Sequence, residues 1–204
     1  GVSSRPLVLR HVPIRAGEKV TGYVDLVSER AYVYKPGEPS ALIEIPDEMQ
    51  NRESEARQEL LEELSNYDDP LLEMLLEDTV PPKEDVYDYL AKDLAEHSVA
   101  PVFIGAAEHN NGVLRLMKAL RHETPDSGAA LARLGVEGAT DPFATVFKSY
   151  HMPHSGKLSV VRVWRGAVKD GMMAGDDRIG GMYRLMGHDQ EKIASAGVGE
   201  VVAL

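Results

Sequence analysis

Residues 99–120, VAPVFIGAAEHNNGVLRLMKAL, constrain the fold more than any other stretch of this chain. The apolar run 101–104 predicts a buried strand, Gly105-Ala106-Ala107 a tight turn, and Asn110-Asn111 the start of an amphipathic helix that runs through Leu120. In α/β proteins the turn after such a strand is a ligand-binding position, because free backbone N–H groups and the next helix N-terminus converge there. The small side chains at 105–107 would let a flat ligand approach the backbone. The same pattern also suits a βα connection packed for stability alone.

Around this unit the chain changes character three times. Residues 1–45 predict a small antiparallel sheet: LVLRHVPI, KVTGYVDLV, AYVYK and ALIEI are strand-like runs punctuated by Gly17, Gly22 and Pro36-Gly37. Alternation sets Val20, Gly22, Val24 and Leu26 on one face, as in a half-buried sheet. From Pro46 the period becomes helical, with helices expected at 49–64, 70–76 and 83–97. Asp47 is a candidate cap for the first, and Asp68 or Asp69 for the second. Residues 124–140, rich in Gly, Ala, Pro and Ser, predict a linker. Beyond it, short strands with Gly at the corners predict a small antiparallel β-barrel.

Charge separates these parts. The chain has a formal net charge of −11, and residues 44–96 hold 18 acidic against 4 basic side chains. Glu53, Glu55, Glu59, Glu62 and Glu63 on the first helix suit either a solvated face or a docking surface for a basic partner. The balance excludes the chain as a whole from strong nucleic-acid binding. Arg162, Trp164 and Arg165 lie together on one barrel strand, where they would either face a phosphate backbone or pack structurally. With no cysteine, thiolate metal sites and disulfides are excluded, as expected of a cytoplasmic protein. No apolar run is long enough to span a bilayer.

Several short motifs fail on their own chemistry. Gly156-Lys157 resembles the end of a P-loop, but His151 stands where its first Gly belongs and Leu158 where a hydroxyl must reach Mg²⁺. His151 and His154 flank Pro153 and have no third ligand at hand. Asp177-Arg178-Ile179-Gly180 fits DxxG only as a chance pattern. No nucleophile triad or carboxylate pair can be built, so no catalytic residue or metal site is expected.

Three longer stretches resemble the elongation factor G family of translational GTPases. VPIRAGEKVTGYVDLV is similar to the family's stretch after its NKxD motif. PVFIGAAEHNNGVLRLMKAL is similar to PV-x2-GSA-x3-N-x-GV-x2-LL-x-A, and TDPFATVFKSYHMPHSGKLSVVRVWRGAVKDG is similar to the start of the family's second domain. The resemblance implies an α+β fragment in three parts. Residues 1–123 would be the inserted subdomain and C-terminal end of a P-loop GTPase domain, 124–139 a linker, and 140–204 a truncated domain II β-barrel. It implies that Gly105, Ala106 and Ala107 form a guanine-recognition loop, with Ala106 where the family commonly has Ser. The intact parent would be a GTPase using GTP and Mg²⁺ for translocation or ribosome recycling. The P-loop, switch and NKxD motifs are absent from these residues, so the piece itself is not expected to hydrolyse GTP or to carry a cofactor.

The resemblance further implies ribosomal partners: the stalk protein for the acidic helices, and small-subunit RNA for the barrel through Arg162 and Arg165. A stand-alone acidic interaction module is the competing reading, and a fragment of a ribosomal-protection or release-factor GTPase is another. An exposed sheet edge and apolar face around 102–104 would promote self-association.

Overall fold

The computed structural model describes residues 3–136, 138, 140–152, 156–187 and 189–204. Pro153 and His154, and with them the His151/His154 pair, lie outside the described residues. The chain forms two units, Gly1–Thr124 and Pro125–Leu204.

In the first unit the run LVLRHVPI does not form one strand. Strand β1 (Leu7–Leu9) pairs in parallel with β6 (Ala100–Val102), whereas β2 (His11–Ala16) enters an antiparallel sheet with β3 (Lys19–Asp25), β4 (Arg30–Lys35) and β5 (Glu38–Ile43). Arg10 is the hinge between the two sheets: its N–H donates to the Val102 carbonyl at 3.0 Å, and its own carbonyl accepts from Leu26 N–H at 3.0 Å. One residue thus changes the sheet to which the chain is bonded.

Helices α1 (Asp47–Ser65), α2 (Asp69–Leu76) and α3 (Lys83–Ala95) follow, near the expected bounds. Asp47 lies inside α1, with Pro46 as its N-cap. Asp68 is the N-cap of α2 but makes no capping bond; its Oδ1 accepts from Lys92 Nζ at 2.6 Å. The helices pack their apolar stripes onto the strands, burying Leu60, Leu61, Leu64, Leu71, Val86 and Leu90 against Val8, Val12, Val24 and Leu26. Burial of this apolar area is the main favourable contribution to the unit's stability.

The half-buried sheet predicted from alternation is corrected in β3. Val24 faces the core as expected, but Tyr23 and Asp25, on the opposite face, are equally buried. The reason is that a second layer covers that face: Phe103, after β6, packs on His11, which stacks on Tyr23. Gly22 is required here because a Cβ would lie 2.1 Å from the Tyr32 carbonyl oxygen.

The second unit begins with the stretch read from sequence as a linker. It carries helix α5 (Ser127–Leu134), capped by Asp126, whose Oδ1 accepts from Ala129 N–H at 3.0 Å, and the helix packs on β8. Strands β7 (Phe143–Met152), β8 (Gly156–Arg165), β12 (Met182–Met186), β13 (Asp189–Ile193) and β15 (Val201–Ala203) form a five-stranded antiparallel sheet in the order β13-β12-β15-β8-β7. Short pairs β9 (Val168–Lys169) with β14 (Ser195–Ala196) and β10 (Met173–Ala174) with β11 (Asp177–Arg178) complete a barrel-like arrangement. Val161, Val163, Val168, Met182 and Val202 fill its interior. No helix among the described residues is long and apolar enough to cross a membrane.

Candidate functional site

The turn after β6 is built from backbone hydrogen bonds. Ala106 N–H donates to the Asn111 carbonyl at 2.9 Å and Asn111 N–H returns a bond to Ala106 at 3.0 Å, closing a loop that contains one 3₁₀ turn, Ala107–His109. Asn110 adopts a left-handed conformation (φ 59°), and so does Gly112 (φ 74°) immediately before α4 (Val113–Glu123). A Cβ on Gly105 would meet the Asn111 carbonyl oxygen at 2.8 Å, and one on Gly112 the Ile104 carbonyl oxygen at 2.6 Å. The helix expected to start at Asn110-Asn111 therefore starts later, because these two residues shape the loop.

Gly105, Ala106 and Ala107 are all exposed. Ala106 N–H is consumed within the loop. The amides of Ala107 and Glu108 make no hydrogen bond among the described residues, so they remain free to donate to a ligand. The arrangement presents N–H donors beside small side chains, the chemistry suited to a flat ring that bears a carbonyl acceptor.

A buried polar network holds this loop against the sheet, and sequence reasoning missed all five of its members. Ile104 N–H donates to His11 Nδ1 at 3.3 Å. Asp25 Oδ2 accepts from Arg115 Nε at 2.8 Å, while its Oδ1 accepts from the amides of Val27 (3.1 Å) and Ser28 (3.0 Å). Arg10 forms a two-pronged pair with Glu123, which also lies 3.8 Å from Arg115. Arg10 is fully buried, with its guanidinium 5.1 Å from the Phe103 ring centre and 5.5 Å from that of Tyr87. Charges this deep persist because each has an opposite partner. The available signal was the presence of Arg10, His11 and Asp25 within otherwise apolar strands.

The protonation states follow. Desolvation is the largest influence on His11 and lowers its pKa to about 4, with Arg115 and Arg10 adding to the effect and Asp25 opposing it. The ring is neutral and its Nδ1 accepts. Asp25 stays ionised: burial opposes this, but Arg115, the Ser28 amide and Arg10 prevail and lower its pKa.

The acidic candidates divide. Glu55, Glu59 and Glu62 are exposed on one side of α1, and Glu63 is half-buried. Glu53 is corrected: it is buried, lining a separate cleft with Glu29, Arg57 and Asp78, and both burial and Glu29 raise its pKa. It lies one helical turn from Arg57, whose Nη1 donates to the carbonyls of Leu26 and Val27 in the turn after β3.

The barrel arginines also divide. The Arg162 guanidinium lies 4.9 Å from the centre of the Trp164 ring, whose Nε1 donates to Thr145 Oγ1 at 2.7 Å. Arg165 instead donates to the carbonyls of Asp141 (2.6 Å) and Val136 and covers Phe143, so its guanidinium ties strand β8 to the preceding segment. Among the described residues no cluster of side chains suits a metal ion.

No family model matches the chain. An elongation factor G-like protein of Synechocystis sp. is 40% identical over 205 residues, covering 100% of this chain and 30% of that protein. Elongation factor G of Salinibacter ruber is 29% identical over 226 residues, covering 100% of this chain and 32% of that protein. A crystal structure of a protein from Thermus thermophilus matches with a TM-score of 0.79 at 29% identity, over 98% of this chain and 30% of that one. The chain thus spans about 30% of the length of the curated relatives it matches. Along its whole length, this chain is related to part of the elongation factor G-like proteins.

Proposed function

We propose that the chain works as part of a cytoplasmic GTP-binding translation factor that acts on the ribosome, with residues 1–123 completing a GTPase domain and 140–204 forming its domain II barrel. The observation that carries this reading is the loop Gly105–Ala107, held by His11 and presenting the free Ala107 amide. In the intact factor that amide would donate to the guanine carbonyl, with Gly105 and Ala106 allowing the base to lie against the backbone. Mg²⁺ and the triphosphate would supply the hydrolytic chemistry outside the groups described here. This chain's own contribution is recognition of the base.

Two further features support the assignment. Leu7 and Leu9 on β1 and Leu114, Met117 and Leu120 on α4 are exposed, whereas Val102, Phe103 and Ile104 are half-buried. The apolar surface expected around 102–104 therefore lies on β1 and α4, where the remainder of a GTPase domain would cover it; in the isolated chain it would favour self-association. Glu55, Glu59 and Glu62 offer a docking face for the ribosomal stalk protein, and Arg162, half-buried and without a hydrogen bond or ion pair among the described residues, is a barrel cation that can approach small-subunit RNA.

The test is Ala107→Pro in the complete factor encoded by the native gene. Ala107 is the first residue of its 3₁₀ turn and Ala106 is extended (φ −139°, ψ 102°), so proline is accommodated there while the N–H is removed. GTP affinity should fall by roughly tenfold with the fold intact, as loss of one hydrogen bond to a bound group predicts. Unchanged affinity would exclude the loop from guanine recognition.

A further inference from the structure

A cleft of about 480 Å³ in the first unit lies where β3 and β4 meet the starts of α3 and α4. Its lining reaches Asn110 and Gly112 of the turn after β6 but includes none of residues 105–107, and its cations outnumber its acids. Arg30, Lys83 and Lys118 line it, and none of their side chains has an ion-pair or hydrogen-bond partner among the described residues. In a chain of net charge −11, three unpartnered cations therefore converge on one hollow.

Its other charges are almost all consumed. Asp25 is saturated by Arg115 and by the amides of Val27 and Ser28, so it offers no free carboxylate. Arg115 is engaged as well: its Nε donates to Asp25, and its Nη2, which makes no hydrogen bond, lies 3.8 Å from Glu123 Oε1. Glu84 is the opposing acid on the rim. The cleft also receives the N-terminus of α4, where Gly112, Leu114 and Arg115 line it and the amides of Val113, Leu114 and Arg115 have no acceptor among the described residues. Helix N-termini favour anions, and three cations around one reinforce the preference. The remaining wall is aromatic, formed by Tyr23, Tyr32 and Tyr87. Tyr23 and Tyr32 are stacked with ring centres 5.3 Å apart, and Tyr32 and Tyr87 are only half-buried, leaving ring surface accessible.

We infer that this cleft binds a nucleoside phosphate: the phosphate at Arg30, Lys83, Lys118 and the start of α4, and the ring system against the tyrosines. The volume is in the range that encloses small ligands. Bare anions would use only the cationic half, and apolar ligands only the aromatic half; a nucleoside phosphate uses both.

The experiment is a titration of the 204-residue chain with ADP, followed by amide chemical shifts. ADP avoids confusion with guanine recognition, which has its own signature at residues 105–107. The expected result is saturable binding with the largest shifts at residues 23–32, 83–87 and 112–118. Lys83→Ala and Lys118→Ala, both exposed and without partners, should each weaken binding about fivefold, and added salt should weaken it further. Lys157→Ala in the second unit serves as the control and should bind as the parent does. A parallel titration with a 5′-phosphorylated oligoribonucleotide distinguishes a free nucleotide from a strand end, according to which binds more tightly. Absence of saturation at millimolar ADP, shifts confined to 105–107, or variants that bind like the parent would overturn the proposal.

Discussion

His11 Nδ1 accepts the backbone N–H of Ile104 at 3.3 Å, so a neutral imidazole from β2 anchors the residue that leads into the Gly105–Ala107 loop. The bond spans 93 positions of sequence. It requires an unprotonated Nδ1, which burial secures by lowering the His11 pKa to about 4.

His11 should therefore make the first unit sensitive to acid. Its folded pKa lies below the unfolded value near 6.5, so the unfolded chain binds more protons between those two values and stability falls as pH drops through that window. The ceiling is on the order of 3 kcal/mol, because each tenfold change in proton affinity corresponds to about 1.36 kcal/mol. Protection of the amides of β2 and the 104–107 loop, expressed relative to the intrinsic exchange rate at each pH, should fall from pH 6.5 to 4.5. In His11→Phe that loss of protection should vanish, while neutral-pH stability drops by about 1–3 kcal/mol because the Ile104 N–H loses its acceptor.

Asp93 should act in the opposite direction. It is fully buried near the end of α3, with neither carboxylate oxygen bonded, and burial followed by repulsion from Asp68 raises its pKa to about 6. Its folded pKa exceeds the unfolded value, so the penalty is present above pH 6 and is relieved as the pH falls toward 4. Asp93→Asn should raise the urea midpoint of the first unit at pH 7.5, by up to about 3 kcal/mol in stability. The advantage should shrink at pH 4; an equal gain at both pH values would contradict the assignment.

Gly112 and Gly37 both have positive φ, 74° and 71°, yet only the first faces backbone. A Cβ at 37 meets nothing within 4 Å, so Gly37→Ala should cost about 1 kcal/mol from conformation alone. Gly112→Ala adds a 2.6 Å clash with the Ile104 carbonyl oxygen and should cost more than about 2 kcal/mol, with amide shifts at 104–112. Thermal unfolding of the two variants compares them directly.

Arg162 and Arg165 should separate in function. Trp164 is the single tryptophan and lies in the second unit, so its fluorescence follows the unfolding of that unit. Arg165→Ala should destabilise the barrel by about 1–3 kcal/mol, since the Asp141 and Val136 carbonyls lose their donor. Arg162→Ala should leave the unfolding midpoint nearly unchanged and weaken ribosome binding of the complete factor, with a smaller salt dependence. A large loss of midpoint in Arg162→Ala would make it a structural residue.

Charge reversal of Glu55, Glu59 and Glu62 to Lys should reduce binding of the complete factor to the stalk protein without loss of fold, because these side chains are exposed. Surface plasmon resonance at two salt concentrations checks it. Unchanged binding would make the face merely solvated. Glu53→Gln belongs to a different class and should stabilise the first unit, since burial and Glu29 already disfavour its charged form.

The sequence alone determined the order and type of the main elements, because period, punctuation and charge are local properties. The 99–120 unit, the acidic helices and the barrel strands were legible in that way, as was the relationship to elongation factor G through three ordered motifs. Local pattern could not reveal that one apolar run divides at Arg10 between two sheets, since hydrogen-bond partners come from residues 26 and 102. Nor could alternation along β3 show that its second face is covered, because the cover, Phe103 and Arg115, comes from distant parts of the chain. The guanine-type loop was visible as Gly105-Ala106-Ala107. What holds it in shape, and which glutamates and arginines remain free to meet a partner, only the tertiary structure decided, because burial and pairing depend on neighbours that sequence spacing does not specify.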